Sequence, residues 1–110
     1  MAHIKAVENL DSILSGDGVD GFIVGPHDLS ALLGVPGHFE HPAMVEALQT
    51  IRRVAENRRA VAGYHVVLPQ PETLAHKIRE GYLFLAYSVD ILFLGETWRK
   101  DLQTIKDYIP

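Results

Sequence analysis

Three short apolar segments alternate with amphipathic patterns, and this alternation constrains the fold more than any other feature. Apolar runs of strand length occupy three segments: 19–24, 60–68 and 82–89. Helical spacing of apolar residues is found in four others: 3–15, 42–59, 72–80 and 90–109. Strands that are apolar on both faces and alternate with helices predict parallel pairing through right-handed crossovers. We therefore predict one α/β domain over residues 1–110, without an internal linker.

Three strands are too few to close a barrel. A (β/α)8 barrel has eight strands and about 250 residues, whereas this chain has 110 residues. An open three-stranded sheet leaves two edges exposed, and exposed edges pair readily with other chains. We expect the chain to pair with another copy, to pair with a complementing segment, or to remain a poorly protected fragment.

Composition and charge exclude several classes of function. The formal net charge is −4, and the arginines at 52–59 share a helix with Glu46 and Glu56, which favours a solvated helix face over a nucleic-acid surface. Without cysteine, the chain has neither a disulfide framework nor a thiolate metal site. The longest apolar run is shorter than a membrane helix of about 20 residues, and no signal peptide is visible. We predict a cytoplasmic protein that binds neither nucleic acid nor membrane.

The segment Asp20-Gly-Phe-Ile-Val-Gly-Pro-His-Asp-Leu-Ser30 is the most informative for function. It predicts a buried strand that breaks at Gly25-Pro26, followed by Asp28 and a short helix over 29–33. A carboxylate and free helix-start amides at the carboxyl end of a parallel strand are typical of sites for metals and anionic substrates. From the pattern alone two interpretations stay open, because Asp28 either caps the helix or binds a ligand.

Two further histidines, His38 and His41, fall in a loop rich in glycine and proline. One interpretation joins them with His27 in a metal cluster. Their spacing is not diagnostic of a metal site, which favours surface histidines. His41 also precedes Pro42, a residue suited to the first turn of a helix. A role at the start of the next helix is therefore the interpretation that we favour for His41.

Taken together, these residues resemble the HpcH/HpaI aldolase family of metal-dependent pyruvate aldolases. The resemblance keeps the family's order and spacing over these segments: Asn9–Leu14, Gly18–Ser30, Leu33-Gly34, Pro36-Gly37, His41-Pro42, Ala62-Gly63 and Ala86–Asp90. It implies a partial (β/α)8 TIM barrel of class α/β, with three parallel strands and four or five helices. These would correspond to the last strands and helices of the barrel.

The resemblance also implies a reaction. Family members are carbon–carbon lyases that cleave 4-hydroxy-2-oxo acids to pyruvate and an aldehyde, using a divalent metal such as Mg²⁺, Mn²⁺ or Co²⁺. Asp28 matches one metal ligand of the family, while the second ligand, a glutamate, would fall at about Ala2 and is absent. The family's catalytic histidine and substrate arginine come from its N-terminal half. We therefore expect weak metal binding and assign no catalytic residue to this chain.

The substrate-binding residues follow from the same resemblance. The backbone amides of His27 and Asp28 are implied to hold the pyruvate carboxylate at the helix start. The implied set is Gly25, Pro26, His27, Asp28, His65 and Ser88. His65 stands where the family tends to have an apolar residue near the substrate's tail, so it either contacts a polar tail or is a half-buried histidine with satisfied polar atoms. Ser88 is implied to line the pocket of a complete barrel, and Asp90 is predicted to cap the last helix.

Three hypotheses stay open for the chain as a whole. It contributes to an aldolase site whose missing residues come from another chain or a longer product. Alternatively, it is a non-catalytic half-barrel oligomer, or a module that binds a small carboxylate such as pyruvate. The family's last helix reaches a neighbouring subunit, which implies that residues 90–109 make oligomer contacts.

Overall fold

The computed structural model of the protein describes residues 3–110. Ala2, near which the family's second metal ligand would fall, therefore lies outside the described residues. Within that range the chain forms three strands and six helices. In chain order they are α1 (Ile4–Glu8), α2 (Leu10–Leu14), β1 (Gly21–Val24), α3 (Pro26–Leu32), α4 (Pro42–Arg58), β2 (Val61–Val66), α5 (Pro71–Arg79), β3 (Phe84–Tyr87) and α6 (Asp90–Lys106).

The three strands form one parallel sheet in the order β1-β2-β3. Phe22 of β1 is opposite Ala62 of β2, and Tyr64 of β2 is opposite Leu85 of β3. Helices lie between successive strands, as parallel pairing requires. The predicted α/β class with three parallel strands is therefore confirmed.

One face of the sheet and the apolar face of α4 make the core. The buried residues of α4 recur at spacings of three and four and are Met44, Leu48, Ile51 and Ala55. They pack in one cluster with buried residues of α2, β1, α3, β2 and the loop before β3: Leu10, Leu14, Val24, Leu29, Ala62, Tyr64, Val66 and Tyr82. This packing holds β1 and β2 in place and thereby positions the loops that follow them.

The first helix differs from its prediction. The pattern over 3–15 predicted one helix, but the chain leaves helical geometry at Asn9, whose φ of −100° and ψ of 9° separate α1 from α2. Asparagine is a weak helix former because its amide competes for backbone hydrogen bonds. This break explains why six helices are found where four or five were predicted.

The strands are also shorter than predicted. β1 begins at Gly21 because it pairs only as far as Val61, the first residue of β2. Before β3, Tyr82 turns into the core, where its ring lies 5.2 Å from that of Tyr64. Tertiary packing, rather than the length of the apolar run, sets these ends.

Helix α6 stands apart from the rest of the molecule. None of its residues is buried against the described chain, and Leu94 and Trp98 are 72% and 70% exposed. The resulting shape is elongated, 64 × 28 × 21 Å. Asp90 was predicted to cap this helix. Instead Val89 is the N-cap and Asp90 is the first helical residue, so the helix begins one residue earlier than predicted. No helix within residues 3–110 is both long enough and apolar enough to span a bilayer.

Candidate functional site

The carboxyl ends of the three strands lie at one edge of the sheet. Residues 25–28 follow β1, residues 67–68 follow β2, and residues 88–89 follow β3. Parallel pairing therefore brings together the turn at Gly25–Asp28, His65 near the end of β2, and Ser88 just after β3. These are the positions that the sequence singled out for substrate binding.

The turn after β1 starts a helix earlier than predicted. Helix α3 begins at Pro26 with Gly25 as its N-cap, so Asp28 is its third residue rather than its cap. Of the two interpretations of Asp28, the cap is therefore wrong, because Gly25 is the N-cap and proline at the first position already suits the helix start. The Asp28 carboxylate is exposed and has no hydrogen-bond or ion-pair partner among residues 3–110.

Two backbone donors at this turn have no acceptor. The first N–H groups of a helix lack partners within the helix, and Pro26 has no N–H to offer. The amide of Leu29 donates to the carbonyl of Gly25 at 3.0 Å, whereas the amides of His27 and Asp28 have no acceptor in the described chain. An exposed carboxylate and two free amides are thus presented together at the end of β1.

A buried serine, which was not predicted from the sequence, holds the following loop in place. The Ser30 hydroxyl donates to the carbonyl of His27 at 2.8 Å and accepts from the amide of Gly37 at 3.0 Å. Ser30 is fully buried. A polar residue between apolar positions of a short helix is the signal that identifies it, because buried hydroxyls are normally hydrogen-bonded.

The three histidines near this loop do not form a metal site. The His27 ring packs edge-on against Phe39, with ring centroids 4.9 Å apart. His41 is the N-cap of α4, and its Nδ1 accepts from the amide of Ala43 at 3.1 Å. Across residues 3–110 no three histidine, aspartate or glutamate side chains are placed to hold a metal ion. The helix-start role favoured for His41 is the arrangement that the structure shows.

The ends of β2 and β3 are joined by a side-chain hydrogen bond. Nε2 of His65 lies 2.9 Å from the carbonyl oxygen of Ser88. Ser88 has a left-handed φ of 54° and donates its amide to the carbonyl of Val66 at 2.6 Å. Its hydroxyl is buried and has no partner within residues 3–110. Ser88 thus contributes a backbone oxygen at this edge, and its predicted pocket-lining role stays a prediction.

A groove of about 900 Å³ runs from this edge along the cleft between α4 and α5. Its walls include Pro26 and His27 at the start of α3, His65 on β2, Arg52 on α4 and Lys77 on α5. Neither Asp28 nor Ser88 contributes to these walls. The turn that carries Asp28 therefore borders the groove through its first two helical residues.

The far end of the groove is a polar cluster that was not predicted from the sequence. Lys77 Nζ lies 4.4 Å from the Tyr64 ring centroid and 3.3 Å from the Glu80 carboxylate. Arg52 donates to the carbonyl of Glu80 at 2.8 Å. Burial, with a smaller contribution from Glu80, raises the pKa of Tyr64 to about 12. The spacing of Lys77 and Glu80 on one helix was the available signal, since residues three apart are neighbours.

Known proteins resemble most of this chain. Residues 3–95 match the profile of a family described as HpcH/HpaI aldolase/citrate lyase. The 2-keto-3-deoxy-L-rhamnonate aldolase of Klebsiella pneumoniae is 39% identical over 103 residues, and that of Escherichia coli O1:K1 is 35% identical over 102. Each alignment covers 92% of this chain and 37% of the relative, so the chain spans little more than a third of their length.

Solved structures share the fold. An HpcH/HpaI aldolase from Desulfitobacterium hafniense superposes with a TM-score of 0.89 at 35% identity, covering all of this chain and 42% of that one. An HpcH/Hpal aldolase/citrate lyase family protein from Burkholderia cenocepacia gives 0.89 at 25% identity, covering 96% of this chain and 40% of that one. The three-stranded sheet and its helices therefore have the arrangement of part of a TIM-barrel aldolase.

Proposed function

Because the chain belongs to the HpcH/HpaI aldolase/citrate lyase family, we propose that it supplies part of a carbon–carbon lyase site. The proposed reaction cleaves a 4-hydroxy-2-oxo acid into pyruvate and an aldehyde. The observation that carries this proposal is the turn at Gly25–Asp28, which presents an exposed carboxylate and two free amides within the family match. The relatives named as aldolases supply the reaction class.

The amides at this turn suit a carboxylate ligand. The amides of His27 and Asp28 point from a helix start, where partial positive charge favours anions. Pyruvate and its 2-oxo acid precursors carry such a carboxylate. Cleavage breaks the C3–C4 bond, releases the 4-hydroxyl proton and leaves an electron pair on the pyruvate enolate, which then takes up a proton. In this proposal the turn holds the carboxylate end while that bond breaks.

The described residues alone do not fit a divalent cation. Such a cation takes six or more oxygen ligands, and residues 3–110 offer no group of three acidic or histidine side chains for one. Asp28 has a free carboxylate, so we propose it as one ligand of a site completed from outside this chain. The preferred metals are Mg²⁺, Mn²⁺ or Co²⁺, which accept carboxylate oxygens. A bound cation of this kind stabilises negative charge on an enolate.

The remaining substrate contacts are proposed from the places of the residues at this edge of the sheet. His65 lines the groove beside Pro26 and His27, and Ser88 lies within hydrogen-bond distance of His65. We propose that Gly25 and Pro26 shape the turn, that His65 contacts the substrate from the groove, and that Ser88 lines the pocket of the completed site beside His65. Their support is that parallel pairing brings all of them to one edge of the sheet.

A complete site requires more polypeptide, and we propose a second copy of the chain or a complementing barrel segment as its source. The exposed apolar side chains of α6 support an oligomer, because large apolar patches mark association surfaces. In this proposal residues 90–109 make the contact between copies. We also propose a cytoplasmic location, on kinship with aldolases that act on small metabolites.

The experiment that tests the function is proton–deuterium exchange at the methyl group of pyruvate, followed by NMR with Mg²⁺, Mn²⁺ or Co²⁺ present. We expect metal-dependent exchange that is lost in Asp28→Asn. Asp17→Asn is the matched control, because Asp17 is exposed in the loop before β1. Exchange that survives in Asp28→Asn at full rate would exclude Asp28 as a metal ligand.

One observation favours a second candidate function. The lack of a three-ligand metal group within residues 3–110 fits a non-catalytic half-barrel oligomer that binds a small carboxylate at the free amides. In that case pyruvate binds to the folded protein, but no methyl exchange occurs with any of the three metals. Calorimetric titration with pyruvate, run beside the exchange experiment, separates the two functions.

A further inference from the structure

The contact between His65 and Ser88 determines which ring nitrogen of His65 carries a proton. A carbonyl oxygen only accepts hydrogen bonds, and Nε2 of His65 lies 2.9 Å from the carbonyl oxygen of Ser88. Nε2 must therefore be the donor. In the neutral ring the proton is then on Nε2, and Nδ1 has a free lone pair.

The backbone of Ser88 is arranged to make this contact. Its φ of 54° is unusual for a residue with a side chain. Its amide is anchored to the carbonyl of Val66 at 2.6 Å. With the amide held by β2, the left-handed turn leaves the Ser88 carbonyl within reach of the His65 ring. Its hydroxyl forms no hydrogen bond in residues 3–110, so the side chain does not explain the strained geometry.

The other nitrogen of His65 is available to a ligand. His65 lines the groove next to the turn at Pro26 and His27. Within residues 3–110, Nδ1 has no hydrogen-bond partner, and this atom is not fully buried. It is therefore accessible. An accessible nitrogen with a lone pair selects ligand groups that donate a hydrogen bond.

We propose that Ser88 is a positioning residue whose backbone carbonyl holds His65 as the Nε2–H tautomer, so that Nδ1 accepts a hydrogen bond from a hydroxyl group on the ligand. The ligand part rests on the proposed function, because it assumes a hydroxylated 2-oxo acid in the groove. The tautomer part stands on the two hydrogen bonds and the φ angle of Ser88 alone.

The tautomer is measured by nitrogen-15 NMR of histidine-labelled protein at about pH 8.5, where an imidazole of ordinary acidity is neutral. His38, which is exposed and makes no hydrogen bond through its ring in the described chain, is the internal reference. We expect the Nε2–H to Nδ1–H ratio of His65 to exceed that of His38 about 3- to 10-fold, the range for one neutral hydrogen bond. The spectrum of His65→Gln assigns the signal.

Two variants of Ser88 test the positioning role. Ser88→Gly accepts the positive φ without strain and is expected to keep the ratio. Ser88→Val disfavours that φ and is expected to bring the ratio down to that of His38. A parent ratio equal to that of His38 would overturn the proposal even if the valine variant did not fold.

The acceptor role is tested by binding of 4-hydroxy-2-oxobutanoate and of 2-oxobutanoate, which lacks the hydroxyl. We expect His65→Leu to weaken binding of the hydroxylated acid about 3- to 10-fold and to leave the other unchanged. His65→Gln, which retains an acceptor oxygen, is expected to restore part of the loss. Equal losses for both acids would overturn the acceptor role. Failure of both acids to bind the parent would overturn the proposed function, while the tautomer result would stand.

Discussion

Helices α4 and α6 have the same length, but α4 is packed into the core and α6 is exposed. Each has 17 residues and apolar side chains at helical spacing. Four residues of α4 are buried, whereas none of α6 is buried against the described chain. Leu48 in α4 is 6% exposed and Leu94 in α6 is 72% exposed. The comparison shows that an amphipathic pattern specifies which face of a helix is covered, and that the rest of the fold specifies what covers it.

The largest effect is expected from the same substitution in the two helices. Leu48→Ala removes packed methyl groups and is expected to lower the free energy of unfolding by about 2–5 kcal/mol. Leu94→Ala should change it by less than about 0.5 kcal/mol at low protein concentration, because its side chain is exposed. Urea unfolding followed by circular dichroism measures both. Equal losses in the two variants at low concentration would mean that α6 is packed against the chain.

If a second copy of the chain covers α6, the apolar side chains of α6 should become buried, as those of α4 already are. Trp98 is the only tryptophan and is 70% exposed, so its emission reports directly on α6. We expect a blue shift as protein concentration rises, and we expect Trp98→Ala to weaken self-association by about 2 kcal/mol, as for an interface anchor. Sedimentation velocity measures the association. The exposed Lys100→Ala on the same helix is the control and should leave it unchanged.

The starts of the two helices also differ. α4 has a side-chain cap from His41, whereas Val89 at the start of α6 makes no side-chain cap. His41→Ala should lower the free energy of unfolding by about 1 kcal/mol. His41→Asn should lower it much less, because asparagine also caps helices. Val89→Asp should increase helix content in α6. Helical circular dichroism and urea midpoints provide the measurements, and a His41→Ala protein as stable as the parent would contradict the capping role.

The smallest effect concerns the end of α4. The hydrogen-bonded Arg58 guanidinium lowers the pKa of Asp11 below its ordinary value of 3.8. A carboxyl group whose pKa is lower in the folded state contributes stability above its unfolded pKa, and that stability is lost as pH falls through the folded pKa. The effect is small because both groups are exposed. Unfolding midpoints below about pH 4 should fall slightly more steeply for the parent than for Asp11→Asn.

The order of elements was predictable from the sequence, and their ends were not. Alternating apolar runs indicated three parallel strands, which the sheet confirms. The break at Asn9 was not predicted, because the apolar spacing continues through it. The helix after β1 was placed three residues late, since Asp28 resembles a cap while Gly25 and Pro26 already start the helix. Local patterns locate elements well, but backbone hydrogen bonds decide where each one begins.

The candidate site was partly predictable. Gly25–Asp28, His65 and Ser88 were singled out, and parallel pairing brings them to one edge of the sheet. Ser30, whose hydroxyl forms hydrogen bonds with the backbone of His27 and of Gly37, was missed in the prediction from sequence. So was the cluster of Arg52, Tyr64 and Lys77, because its members are distant in sequence.

By itself, the sequence determined the family, the α/β order and the residues at the carboxyl ends of the strands. Each of these is a local property, set by apolar periodicity, by glycine and proline at a turn, and by short motifs in a fixed order. Only the tertiary structure decided that the Ser88 carbonyl meets Nε2 of His65, that Asp28 is left without a partner in residues 3–110, and that α6 is exposed. These depend on contacts between segments far apart in the chain, which local pattern does not specify.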